Sequence, residues 1–208
     1  MLRRYIYFSA MTLDGKPVCF YFRGGDLALD FVNTVGNRLS ETELRDYFQT
    51  PDDLLRWARE AGLSLPNKDG RAAITPRDVR KAIAFRESLY RLFVRQVEDK
   101  PGAPEDLRHL NEVLVKQRSR MHLTRQSGRY QWGSEPTPQI DSLLGQVAEA
   151  AANLLTSPEL ARLKVCENEN CGWLFLDRSR NLPRRWCSME DCGNRAKARR
   201  HYERLKQR

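Results

Sequence analysis

Apolar residues recur along this chain at the spacing of helix faces, and the runs begin where a proline follows a capping or small residue. Val79, Ala82, Ile83, Leu89, Leu92, Phe93 and Val97 fall near one face and predict a helix from Pro76 through Val97. Leu107, Leu110 and Leu114 predict a helix opening at Pro104. Ile140, Leu144, Val147, Ala151 and Leu155 predict another opening at Pro138. Pro51 opens DDLLRWAREAGL, and Pro158 opens a short ELARL. Proline at the first helical position gives up an N–H that would lack a partner anyway. Thr50 and Thr75 each have an aspartate three residues on, Asp53 and Asp78, which approximates a capping box at the positive helix end. Leu27 to Val35 (LALDFVNTV) predicts a further helix that ends before Gly36.

The period changes between Met121 and Trp132. Two short β-prone runs, MHLTR and RYQW, flank Gln126-Ser127-Gly128 and predict a small β-hairpin. Tyr5 to Phe22 offers another extended pair around Asp14-Gly15, and Gly62 to Ala73 predicts a loop. The fold class expected is a mainly α body with a small β-hairpin element, followed by a compositionally different C-terminal module. The expected division is residues 1–20 as an N-terminal extension, 21–160 as the helical body and 161–208 as the module.

Hydrophobic residues make up 40% of the 208, enough for a packed core and too many for a disordered chain. No apolar run approaches the roughly 18 residues a membrane helix needs. The apolar stretch in Met1 to Met11 meets Asp14 and Gly15 too soon for a secretory segment, so a cytoplasmic protein without membrane contact is expected. The net charge of +9 changes the picture through its placement. Residues 178–208 hold eleven Lys or Arg against three acids, so nearly all the excess lies in the last thirty-one residues. A balanced body with a basic end suits a polyanion binder, and equally a solvated charged helix.

Four of the five cysteines gather in the last quarter. Cys166 and Cys171 have four residues between them, as do Cys187 and Cys192, and fifteen separate the pairs. Paired thiolates at such spacing reach one tetrahedral ion, and four of them leave no open position, so one structural zinc is expected. Trp173 to Leu176 reads as a strand, Asp177 to Pro183 as a basic loop, and Trp186 as a second short strand before Cys187. Ser188 caps a helix that starts near Met189 and places Cys192 at its positive end. A knuckle, a hairpin and a ligand-bearing helix make a treble-clef-like four-cysteine finger. His201 as a substitute ligand and redox-active cysteines are the other readings of this set; Cys19 reads as a small apolar side chain.

The run CENENCGWLFLDRSRNLPRRWCSMEDCGNRAKARRHYER resembles the CGNR zinc finger, whose naming motif is Cys192-Gly193-Asn194-Arg195. The body, with RGGDLALDFVNTVGNR near its start, resembles the ABATE domain that accompanies this finger. The resemblance implies a bacterial, stress-induced transcription regulator with the finger as its DNA-binding part.

Candidate nucleic-acid contacts are Arg178, Arg180, Arg184 and Arg185 in the loop, and Arg195, Lys197, Arg199, Arg200 and Arg204 on the last helix. Phosphate contacts would hold the module on a duplex while a few arginines read bases. A helix this basic on every side cannot bury a face and is expected to project. Asn194 and Gly193 read as structural. In the body, Asp30, Asn33 and Arg38 lie among apolar neighbours and are candidates for a ligand pocket or for a core hydrogen-bond cluster. No phosphate loop, metalloprotease helix or nucleophile elbow is present, so no enzyme is expected. The expected function is zinc-dependent DNA binding, with a body that senses a small-molecule effector or forms a homodimer. An RNA or ribosome binder and a protein-interaction module fit the same charge.

Overall fold

A computed structural model describes residues 19–66 and 73–206. Most of the expected N-terminal extended pair, and much of the loop from Gly62 to Ala73, lie outside the described residues. Cys19, expected as an apolar side chain, is exposed.

The body is built from helices α1 (Leu27–Val32), α2 (Pro51–Glu60), α3 (Pro76–Val97), α4 (Pro104–Arg118) and α5 (Gln139–Leu155). Thr50 and Thr75 complete true capping boxes: each side chain accepts from the backbone three residues on, and the aspartate there accepts from the threonine N–H. Pro138 stands at the cap of α5, in an extended backbone conformation, rather than inside its first turn.

Helix α3 runs through the middle, packing against α1, α2, α4 and α5. An aromatic cluster fills the region around it. The Phe31 and Trp57 rings lie 5.1 Å apart and edge-on, and Phe48 lies 5.7 Å from Phe31. Helix α1 is shorter than expected. After Val32 the chain leaves the helix, and Val35–Gly36 (β1) pairs antiparallel with Arg45–Asp46 (β2).

Between α4 and α5 stands the expected hairpin, β3 (Met121–Gln126) and β4 (Arg129–Ser134). Ser127 and Gly128 both take positive φ, the two-residue turn whose twist matches paired strands. A 3₁₀ turn at Pro158–Arg162 then leads to β5 (Leu163–Val165), which pairs antiparallel with β6 (Leu174–Leu176). A π-helical turn, Met189–Gly193, runs directly into the last helix, α6 (Asn194–Lys206).

Candidate metal centre and its attachment to the body

Strand β5 ends at Val165, just before Cys166, and β6 begins three residues after Cys171, so the first cysteine pair forms the tip of the β5–β6 hairpin. Cys166 N–H donates to Trp173 O at 2.8 Å, and Cys171 N–H to Asn168 O at 3.0 Å, which closes the knuckle. The sequence suggested a strand at Trp186 as the partner of Leu174 to Leu176. The partner is instead Leu163–Val165, and Trp186 lies in a bend. Gly172 permits the tight exit: its φ is +67°, and a Cβ there would meet Leu39 Cγ at 2.9 Å. The second pair is set by Ser188, whose Oγ accepts from Asp191 N–H at the start of the π turn carrying Cys192.

The four Sγ atoms of Cys166, Cys171, Cys187 and Cys192 all lie within 4.8 Å of one another, and all four residues are buried. Cys187 Sγ is 3.8 Å from Cys171 Sγ and 3.7 Å from Cys192 Sγ. A tetrahedron with zinc–sulfur bonds of about 2.3 Å has edges of about 3.8 Å, so the donor set fits that ion. A disulfide would need about 2.05 Å, and none of the four is in one. The crowded thiols perturb one another in opposite directions. Cys192 is drawn far below the ordinary thiol range by hydrogen bonds from Cys166, Cys171 and Cys187, with Arg195 adding another. Cys187 is pushed far above it by hydrogen bonds with Cys166, Cys171 and Cys192 and by burial. Four thiolates so close require a divalent cation between them. These cysteines therefore form the site of one structural zinc.

Arg195 Nη2 donates to Cys192 Sγ at 3.2 Å, so this arginine of the naming motif serves the metal site directly. Asn194 Nδ2 donates to Glu190 O at 2.9 Å, the structural role expected for it. Trp173 is buried and Trp186 partly buried against the cysteine cluster.

The three polar residues that were candidates for a ligand pocket or a core hydrogen-bond cluster make contacts that join the body to the finger. Asn33 Nδ2 donates to Leu174 O at 2.8 Å, and Leu174 N–H donates to Asn33 Oδ1 at 2.9 Å. Asp30 Oδ1 accepts from Gly24 N–H at 2.7 Å, and Gly24 O in turn accepts from Leu176 N–H. Burial pushes the Asp30 carboxyl up to about 7. Arg38 holds Glu87, donates to Val32 O and lies 3.9 Å over the Tyr90 ring. Tyr90 Oη then donates to Gly172 O at 2.9 Å. Trp173 Nε1 donates to Val35 O, and Arg38 N–H to Cys171 O. Leu163, Leu174 and Leu176 belong to the core of the body itself.

The hub of this joint escaped the sequence reading. Arg86 is 2% exposed, grips Asp46 with two nitrogens at 2.7 and 2.6 Å, and reaches Glu87 at 2.8 Å. A single arginine in the apolar stripe between Ala82 and Leu89 was the available signal. Desolvation opposes its charge, but Asp46 and Glu87 keep its pKa raised. The clamp fixes β2 and Tyr47 on α3 and so braces the floor beneath the finger.

The candidate basic contacts separate into groups. Arg184 Nη2 donates to Cys187 O, and its guanidinium lies 4.6 Å over Phe175. Arg178 pairs with Glu159, Arg185 with Glu167, and Arg199 with Glu169 and Glu203. Arg200 donates to Ala196 O beside the Trp186 ring. Arg180, Lys197 and Arg204 have no ion pair among the described residues, and no residue of α6 is buried. Asp177 orders the loop: it is fully buried and accepts from Lys164 Nζ, Ser179 and Arg184 N–H. Burial disfavours its charge, yet these donors hold its carboxyl well below the ordinary range.

A cavity of about 440 Å³ opens between body and finger, with Asn37, Arg45 and Tyr47 on one side and Cys171, Asn194 and Arg195 on the other. Among the described residues, no helix is long and apolar enough to cross a membrane.

A family model described as "Putative stress-induced transcription regulator" (ABATE) matches residues 25–158, and the model of the CGNR zinc finger matches residues 162–205. No curated protein matches the chain. Both domains read from the sequence are thus present in the expected order. The chain belongs to the ABATE family and carries a zinc-binding finger of the CGNR type.

Proposed function

We propose that this protein is a transcription regulator that binds duplex DNA through α6 and the loop before Cys187. The observation that carries the reading is the disposition of charge on α6. Arg195 and Arg199 face the finger and are engaged there, while Lys197 and Arg204 lie on the opposite side without ion pairs among the described residues. A rigid helix that presents unpaired bases away from its anchor suits phosphate contact and groove entry. Arg180 extends the same unpaired charge from the loop, and Arg178, Arg185 and Arg200 can exchange exposed partners for phosphate.

Selection of zinc-loaded protein against a random duplex pool, beside a chelated control, tests the reading. An enriched motif that depends on zinc supports it, and a palindromic motif supports a homodimer on DNA. Absence of enrichment, or a stronger preference for folded RNA, overturns it. A steep fall of nucleic-acid affinity with salt argues against a protein-interaction module.

In this reading the cavity between body and finger is the effector site, because a ligand there touches both parts at once. Arg45 Nη2 is buried with no hydrogen-bond partner among the described residues, which favours a ligand with acceptor oxygens. A thermal-shift screen of small carboxylates and phosphates checks this. No compound raising the Tm of wild type above that of Arg45→Ala would remove the assignment.

A further inference from the structure

The β3–β4 hairpin carries an aromatic face that no described residue covers. In the register of the pair, Leu123 stands opposite Trp132 and Arg125 opposite Tyr130, so these four share one face with Met121. Trp132 is 70% exposed, Tyr130 71% and Leu123 59%. Large apolar side chains grouped in water mark an interaction surface.

Charge identifies the occupant. From Arg118 to Ser134 there are four arginines and no acid. Arg118 and Arg120 reach back to Glu149 and Asp141 of the body, but Arg125 and Arg129 form no ion pair among the described residues. Arg125 lies 5.7 Å over the Tyr130 ring, which stiffens that ring and adds charge beside it. A second copy of the same hairpin would bring like charges together. A polyanion would not. Tyr130 and Trp132 are two residues apart on one strand face, hence about 6.8 Å apart along it. That spacing suits successive bases of an extended, unstacked strand, whereas a duplex keeps its base faces inside.

We propose that the β3–β4 hairpin is a second nucleic-acid site, separate from the finger, on which Tyr130 and Trp132 each stack one unpaired base while Arg125 and Arg129 meet the flanking phosphates. Aromatic stacking with adjacent basic charge is how sequence-tolerant single-strand sites are built. The face is in solvent, so its substitutions leave the core intact.

The test measures anisotropy of labelled twelve-nucleotide oligo-dT, oligo-rU and a duplex of equal length on the zinc-loaded full chain. Tyr130→Ala and Trp132→Ala should each weaken single-strand binding by roughly 5- to 150-fold. Trp132→Phe should recover most of the loss, and duplex affinity should stay unchanged. Lys197→Ala with Arg204→Ala should show the reverse pattern, so failure of one site is distinguishable from failure of the other. Unchanged single-strand affinity in both aromatic variants overturns the proposal. So does a shift from dimer to monomer in sedimentation without loss of oligonucleotide binding, which would make the face a self-association surface.

Discussion

The two halves of the finger are held by different forces. The first half, β5, the Cys166–Cys171 knuckle and β6, is held by the body. Its leucines complete the body's core, and its backbone bonds to Asn33, Gly24 and Tyr90. The second half, from Cys187 through α6, buries almost nothing beyond the cysteines and is held by sulfur around a metal. One half is an extension of a globular domain, and the other is a metal-dependent appendage to it. A small unit with little core obtains its stability from the ion, so only the second half should behave like an isolated zinc finger.

Cys187→Ser should break the comparison most severely. Zinc content falls to background, and α6 amides exchange freely with solvent. The amides of Leu174 and Leu176 keep measurable protection, because their acceptors lie in the body. Equal loss of protection in both halves would show that the metal holds both.

Asn33→Ala attacks the other half. It leaves the N–H and C=O of Leu174 buried without partners, at a cost of about 1–3 kcal/mol for each group. The Tm should drop by several degrees while zinc stoichiometry stays at one. A variant with wild-type Tm would show that the joint contributes nothing.

Arg195→Ala and the pair Lys197→Ala with Arg204→Ala sharpen the distinction within α6. The first should lower zinc affinity about 10- to 100-fold in a chelator competition, as loss of a donor to a ligand sulfur does. The pair should leave zinc affinity unchanged and weaken DNA binding with a shallower salt slope. Zinc loss in the pair instead would reverse the assignment of the two faces.

The last effect is one of pH and concerns Asp30, whose carboxyl burial holds near 7 beneath the segment bonded to β6. Between pH 4 and 7 the folded chain keeps a proton there that the unfolded chain releases. Stability from this group therefore falls as pH rises through that window and is flat above it. Asp30→Asn keeps an acceptor for Gly24 and should raise the Tm at pH 8 relative to pH 5, compared with wild type. Parallel Tm profiles would remove Asp30 as the cause.

Much of this architecture is legible in the sequence because long helices repeat their apolar positions many times. α3, α4 and α5 carry several turns of pattern, and Thr50 and Thr75 mark the starts of α2 and α3 with a local, self-contained motif. The zinc set is legible for a similar reason: cysteine chemistry and equal spacing point the same way. What escaped depends on contacts distant in sequence. β1 and β2 are two residues each, too short to have a period. The partner of β6 is hidden in the sequence because Leu163–Val165 precedes the first cysteine, outside the stretch the two knuckles bound. Asp30, Asn33 and Arg38 were recognised as unusual polar residues. Their partners Leu174, Gly24 and Glu87 follow only from the packing of the finger on α1 and α3.

The amide of Asn33 has one more effect. A two-stranded sheet normally leaves an outer rim of unpaired N–H and C=O groups, onto which a foreign strand can add. Along β6 that rim is sealed: the Asn33 side chain imitates one peptide unit of a neighbouring strand, and Gly24 supplies the carbonyl of the next. A residue that fastens the finger thereby also protects the protein from templated aggregation at this core-packed hairpin.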